Sequence, residues 1–115
     1  MGERRYMVLI KHTGETEMIR IEDLSGWFGE AKRLAGIRYA EEICPLGQEY
    51  PCLIDEDGKA RELPLNKKAT GICRTILAED DYISGNMLIG HLSEDTMNVE
   101  PLTSGESEHL IKELD

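Results

Sequence analysis

Ten carboxylates and a single lysine or arginine, Lys112, occupy residues 75–115, whereas residues 1–74 hold thirteen acidic and twelve basic side chains. The formal charge of −10 therefore sits almost wholly in the last third of the chain, net −9 over a remainder of net −1. Charge of that sign repels phosphate backbones and anionic lipid, which argues against direct nucleic-acid binding and peripheral attachment to acidic membranes. It suits a basic protein surface instead. Glu79, Asp80, Asp81, Glu94, Asp95, Glu100, Glu106 and Glu108 are the candidate partner-binding residues. Alternate strand residues recur every ~6.6 Å, and i, i+4 helix residues lie about 5–6 Å apart. Those spacings are comparable to those of neighbouring phosphates on one nucleic-acid strand.

Cationic chemistry gathers at Lys67, Lys68 and Arg74, where two lysines open a short helix and oppose its dipole. They form an alternative site for an anionic nucleotide or signalling metabolite. Cys44, Cys52 and Cys73 make no C-x-x-C pair, and an odd count fits reduced thiols in a small core better than a disulfide framework. A zinc site drawing on them with His12, His91 or His109 lacks the usual paired ligand spacing. The segment Asp55-Glu56-Asp57-Gly58-Lys59 falls short of a calcium loop, which needs oxygen ligands at alternate positions, a glycine at its sixth and a bidentate acid at its twelfth, because here the glycine follows only two aspartates. No nucleophile elbow, phosphate-cradling glycine loop or H-E-x-x-H motif occurs. The expectation is a non-enzyme without metal or cofactor.

The elements that must position these groups follow from periodicity. Residues 6–12 and 16–21 read as two antiparallel strands around Thr13-Gly14-Glu15. Leu24, Trp27, Phe28, Ala31, Leu34 and Ala35 form a helical stripe that Asp23 or Ser25 can cap and Gly36 can end. Trp27 and Phe28, within that stripe, are assigned to the core. Strands follow at 37–44 and 50–54, with Asp57-Gly58 signalling a hairpin. Asn66 caps a helix reaching about residue 77. Residues 82–91 form a strand interrupted at Ser84-Gly85-Asn86, and 97–102 are strand-like. Ser104 to Ser107 start a helix that either docks through Leu110, Ile111 and Leu114 or frays.

These elements predict an α+β fold, a small mixed and mainly antiparallel sheet of about five to six strands with two to three short helices. Residues 1–103 form a single domain, and 104–115 form an acidic C-terminal segment. No apolar run approaches the roughly 20 residues of a membrane helix, and the apolar start lasts only about five residues, too short for a signal peptide. A cytoplasmic protein is expected.

The stretch 34–91 resembles domain of unknown function 3846, a family of small proteins of bacteria, phages and plasmids. The matching pieces are Leu34-Ala35-Gly36 before the strand 37–44, Leu53-Ile54-Asp55-Glu56-Asp57-Gly58-Lys59, Leu63-Pro64-Leu65-Asn66 with Ala69-Thr70, and Asp81-Tyr82-Ile83-Ser84-Gly85-Asn86. The resemblance implies a mixed α+β domain and a home on mobile elements. It brings no catalytic residues, and this chain departs from the pattern in its longer first helix and its acidic C-terminal extension.

Together these readings give an interaction protein of a phage or mobile element. Its acidic surface mimics nucleic acid and inhibits a basic host protein, such as a nuclease, in the manner of anti-restriction or anti-CRISPR proteins. The alternatives are a small-ligand module built on Lys67, Lys68 and Arg74, and an accessory protein without autonomous activity.

Overall fold

The apolar run Met7 to Ile10 alternates its side chains across the central plane of the molecule, so both faces of its strand must be covered. In the computed structural model, which describes residues 4–115, this run lies in β1 (Arg5–Ile10), paired antiparallel with β2 (Thr16–Ile21) through a tight turn. A one-turn 3-10 helix (Leu24–Gly26) leads into α1 (Trp27–Ala35). Strands β3 (Ala40–Ile43) and β4 (Cys52–Asp55) follow, then α2 (Lys67–Ile72) and β5 (Met87–Ile89). A small ribbon of β6 (His91–Leu92) and β7 (Val99–Glu100) precedes α3 (Ser104–Leu114).

The main sheet is wholly antiparallel, in the order β2-β1-β5-β4-β3. Met7, Leu9, Leu53 and Leu88 face α1 and pack on Ala31 and Ala35. Val8, Ile10, Cys52, Met87 and Ile89 face α2 and α3, packing on Ala69, Cys73 and Leu110. The fold is thus α+β, with helices on both faces of one sheet. The segment 104–115 is helical and docked: Leu110 is buried, with Ile111 and Leu114 packed beside it.

Several elements differ from the sequence reading for local reasons. Phe28 is 43% exposed and lies outside the core, while Trp27 is half-buried at its edge. The two small alanines bring α1 close to the sheet, so the larger residues flank the contact. Neither Asp23 nor Ser25 caps α1 through its side chain; the Glu30 carboxylate instead accepts from the amides of Glu22 and Asp23, both at 2.8 Å. Gly36 ends the helix in the left-handed conformation, φ 70°.

The expected strand 37–44 shortens to Ala40–Ile43, because the Ile37 amide closes onto Lys32 O and the Arg38 amide donates to Asp55 Oδ2 at 2.8 Å. Asp57-Gly58 makes a turn but no hairpin, since β4 lies between β3 and β5. The glycine is required there by close approach: a Cβ would lie 2.7 Å from the Ser84 carbonyl. Helix α2 stops at Ile72, five residues earlier than expected, where Gly71 between the β-branched Thr70 and Ile72 weakens it. The strand expected over 82–91 divides into a bridge at Ser84, β5 and the start of the ribbon. Over 97–102 only Val99–Glu100 is strand, because Met97 turns to φ 60°.

Candidate functional site

The β6–β7 ribbon brings the acidic third of the chain together. Ser93 N donates to Asn98 O at 2.9 Å and Met97 N to Ser93 O at 2.8 Å, which closes a turn with Glu94 and Asp95 exposed at its tip. Pairing of His91 with Glu100 places that acid on the adjacent strand. The Leu92 amide donates to the Glu49 carbonyl at 3.0 Å and so draws in the loop before β4.

Helix α3 adds Glu106 through a capping box. Thr103 Oγ1 accepts from the Glu106 amide at 3.2 Å, and Glu106 Oε1 accepts from the Thr103 amide at 2.9 Å. Its second oxygen, Oε2, lies 2.8 Å from His91 Nδ1. Burial opposes ionisation of Glu106, but the Thr103 amide and the His91 ring outweigh it and hold the carboxyl below its ordinary value.

The result is a concavity of about 490 Å³ lined by Glu49, Glu94, Asp95, Glu100 and Glu106, with Arg5 and His91 among them. Four of the eight predicted acids converge here. Glu49 is the member that the sequence reading missed; it belongs to the nearly neutral segment, and only the loop contact with Leu92 brings it in.

The other four lie elsewhere. Glu79 and Asp80 stand on the exposed loop after α2, and Asp81 accepts from the Lys59 ammonium and from the Tyr82 amide. Glu108 lies two positions beyond Glu106, on a different side of α3, and is exposed. Glu79, Asp80, Glu94, Asp95, Glu100 and Glu108 have no cation within ion-pair distance among the described residues.

The Lys67, Lys68 and Arg74 group does not converge. Lys68 is held by Asp115 and by Thr16 Oγ1 at 2.6 Å, while Arg74 donates to the carbonyls of Ala78 and Asp81 at 2.8 and 2.9 Å. Lys67 is exposed at the start of a six-residue helix. None of the three lines a concavity described here.

Asp55, in the segment weighed as a calcium loop, is committed internally. Its carboxylate accepts from the amides of Arg38 and Asp57, both at 2.8 Å, and pairs with Arg61. Burial opposes its ionisation, yet these contacts hold it below the ordinary carboxylate value. Burial pushes the Cys73 thiol up to about 11 and the Cys52 thiol higher still, which leaves both poor nucleophiles. Among the described residues, no three His, Cys, Asp or Glu side chains form a group able to hold a metal ion.

A second depression runs along the outer end of the sheet. Two hollows of about 300 and 470 Å³ share Lys59, Tyr82 and Ser84. The first is floored by Ile43, Ile54, Leu77 and Ile83 and rimmed by Glu41, Glu56 and Asp81. The Lys59 ammonium, 4.5 Å from the Tyr82 ring centroid, stands between them.

No protein-family model, curated protein or solved structure matches the chain.

Proposed function

We propose that this chain is a non-catalytic interaction protein that sets its acidic concavity against the basic, nucleic-acid-binding groove of a partner such as a host nuclease. The observation that carries this reading is the convergence of Glu94, Asp95, Glu100 and Glu106 with Glu49 around one hollow. Three of them, Glu94, Asp95 and Glu100, lack a cationic partner among the described residues. Carboxylates left without internal partners raise the local negative potential, which steers and orients a basic surface. Glu106 contributes differently, since its bonds to Thr103 and His91 fix the rim.

The resemblance to small proteins of mobile elements supports an anti-restriction or anti-CRISPR setting. The small-ligand reading has less support, because Lys68 and Arg74 spend their donors within the fold.

The test is inhibition of a panel of purified basic nucleases, measured from about 50 to 500 mM salt. Inhibition that declines with salt is expected, with the triple variant Glu94→Gln, Asp95→Asn, Glu100→Gln at least about tenfold weaker. The triple variant Glu79→Gln, Asp80→Asn, Glu108→Gln, all outside the hollow, serves as a control of equal charge change. Inhibition indifferent to salt, or equally affected by the two variants, refutes the reading.

A further inference from the structure

Strand β3 ends the main sheet, with β4 as its only hydrogen-bonded neighbour. Which of its backbone groups face outward follows from the phase of the ladder. The Glu56 amide donates to the Tyr39 carbonyl at 2.8 Å, in the same register that pairs Glu41 with Ile54 and Ile43 with Cys52. Hydrogen-bonded pairs recur at every second residue of an antiparallel ladder, so Glu41 and Ile43 bond inward to β4. On the other side of β4, the Gly90 amide bonds the Pro51 carbonyl at 3.0 Å, which directs Leu53 toward β5 and leaves Cys52 and Ile54 for β3. The N–H and C=O groups of Ala40 and Glu42 therefore point away from the sheet, and no backbone group among the described residues meets them.

We infer that this edge, with the adjoining hollow, accepts an extended segment of a partner protein by strand addition, and that the segment carries two successive basic residues with an apolar residue beside them, next to the one opposite Glu42. The charges choose the occupant. Glu41 and Glu42 are both exposed, point to opposite faces, and have no cationic partner among the described residues, so residues opposite both positions are favoured as Lys or Arg. A residue opposite Ile43 lies on the same face as the apolar floor formed by Ile43, Ile54 and Leu77 and is favoured as Leu, Ile or Val. A second copy of β3 is disfavoured, because its own two glutamates meet these. Four outward backbone groups supply affinity without regard to sequence, while alternate side chains supply the choice.

The probe is a synthetic eight-residue peptide with a central Leu-Lys-Lys-Val sequence, titrated into the isotope-labelled full chain. Saturation is expected to slow hydrogen exchange at the Ala40 and Glu42 amides at least tenfold, with little change at Glu41 and Ile43, which are already bonded to β4. A peptide with both lysines replaced by glutamate is expected to bind at least tenfold more weakly. Glu42→Pro removes one outward donor and leaves the β3–β4 ladder intact, since proline is tolerated on an edge strand at such a position. It should weaken binding several-fold beyond Glu42→Gln, which removes only the charge. Should the proline variant fail to fold, exchange in the unaltered chain still decides. No binding up to millimolar peptide, binding without protection at Ala40 and Glu42, or equal binding of the glutamate peptide overturns the inference.

Discussion

Replacing Asn66 should be among the most damaging single changes in this protein. The side chain is fully buried and uses both ends of its amide. Nδ2 donates to the carbonyls of Ile10 and Gly85 at 3.0 and 2.9 Å, and Oδ1 accepts from the Ala69 amide at 2.9 Å as the cap of α2. Asn66→Ala removes a cap, about 1 kcal/mol, and deprives two buried carbonyls of a donor at about 1–3 kcal/mol each. A loss of roughly 3–7 kcal/mol corresponds to a Tm lowered by roughly 10–30 °C in a domain of this size. Asn66→Asp separates the two functions. It keeps the acceptor for Ala69 but turns a carboxylate toward two carbonyl oxygens, which raises the folded-state pKa of the new acid. The penalty is therefore present at pH 7 and shrinks as pH falls toward about 4, where protonation restores a donor. Urea and thermal unfolding of the three proteins at pH 7 and pH 4 provide the measurement. A loss below 1 kcal/mol for Asn66→Ala, or a pH-independent difference for Asn66→Asp, refutes the argument.

Leu110→Ala should cost about 2–4 kcal/mol in urea unfolding, because it opens a cavity beneath α3; a cost under 0.5 kcal/mol would show that the helix is not part of the cooperative unit. Asp55 and Glu106 are both depressed from ordinary values of 3.8 and 4.5, so their stabilisation is complete above those values and declines as pH falls through the lower folded-state values. Glu106→Gln should flatten part of that acid-side decline in Tm, and an unchanged slope would contradict the assignment. Asp55→Asn should cost about 1–3 kcal/mol through the weakened contacts with Arg61 and two backbone amides, as read by thermal unfolding. Thiol titration of the native chain at pH 8 should find Cys44 reacting first, with Cys52 and Cys73 accessible only on unfolding; rapid modification of more than one thiol would exclude the buried placement.

Where local chemistry decided an element, the sequence was readable. The β1–β2 hairpin, the Gly36 stop and the Asn66 cap each depend on a few neighbouring residues, and each stands where the sequence placed it. Asp57-Gly58 was misread because a glycine needed for close approach to the Ser84 carbonyl looks the same as one needed for a hairpin. Phe28 shares the spacing of a core residue, but the depth to which α1 sinks is set by Ala31 and Ala35 against a sheet assembled from distant strands. The candidate site was half legible. Charge partition located Glu94, Asp95, Glu100 and Glu106, yet it could not separate them from the 79–81 loop or recruit Glu49, because both outcomes depend on tertiary contacts far apart in sequence.

The position of β5 governs how the molecule can assemble. Three residues, Met87 to Ile89, join the β1–β2 hairpin to the β3–β4 pair and contribute to both cores. Each pair can close locally, but a nascent chain that has not reached residue 87 leaves Val8, Ile10 and Cys52 without their shared neighbour and exposes two inner strand edges. Arrival of β5 seals both edges at once. Folding is therefore expected to be limited by one late, long-range docking step, slow relative to hairpin closure and steeply dependent on those three side chains.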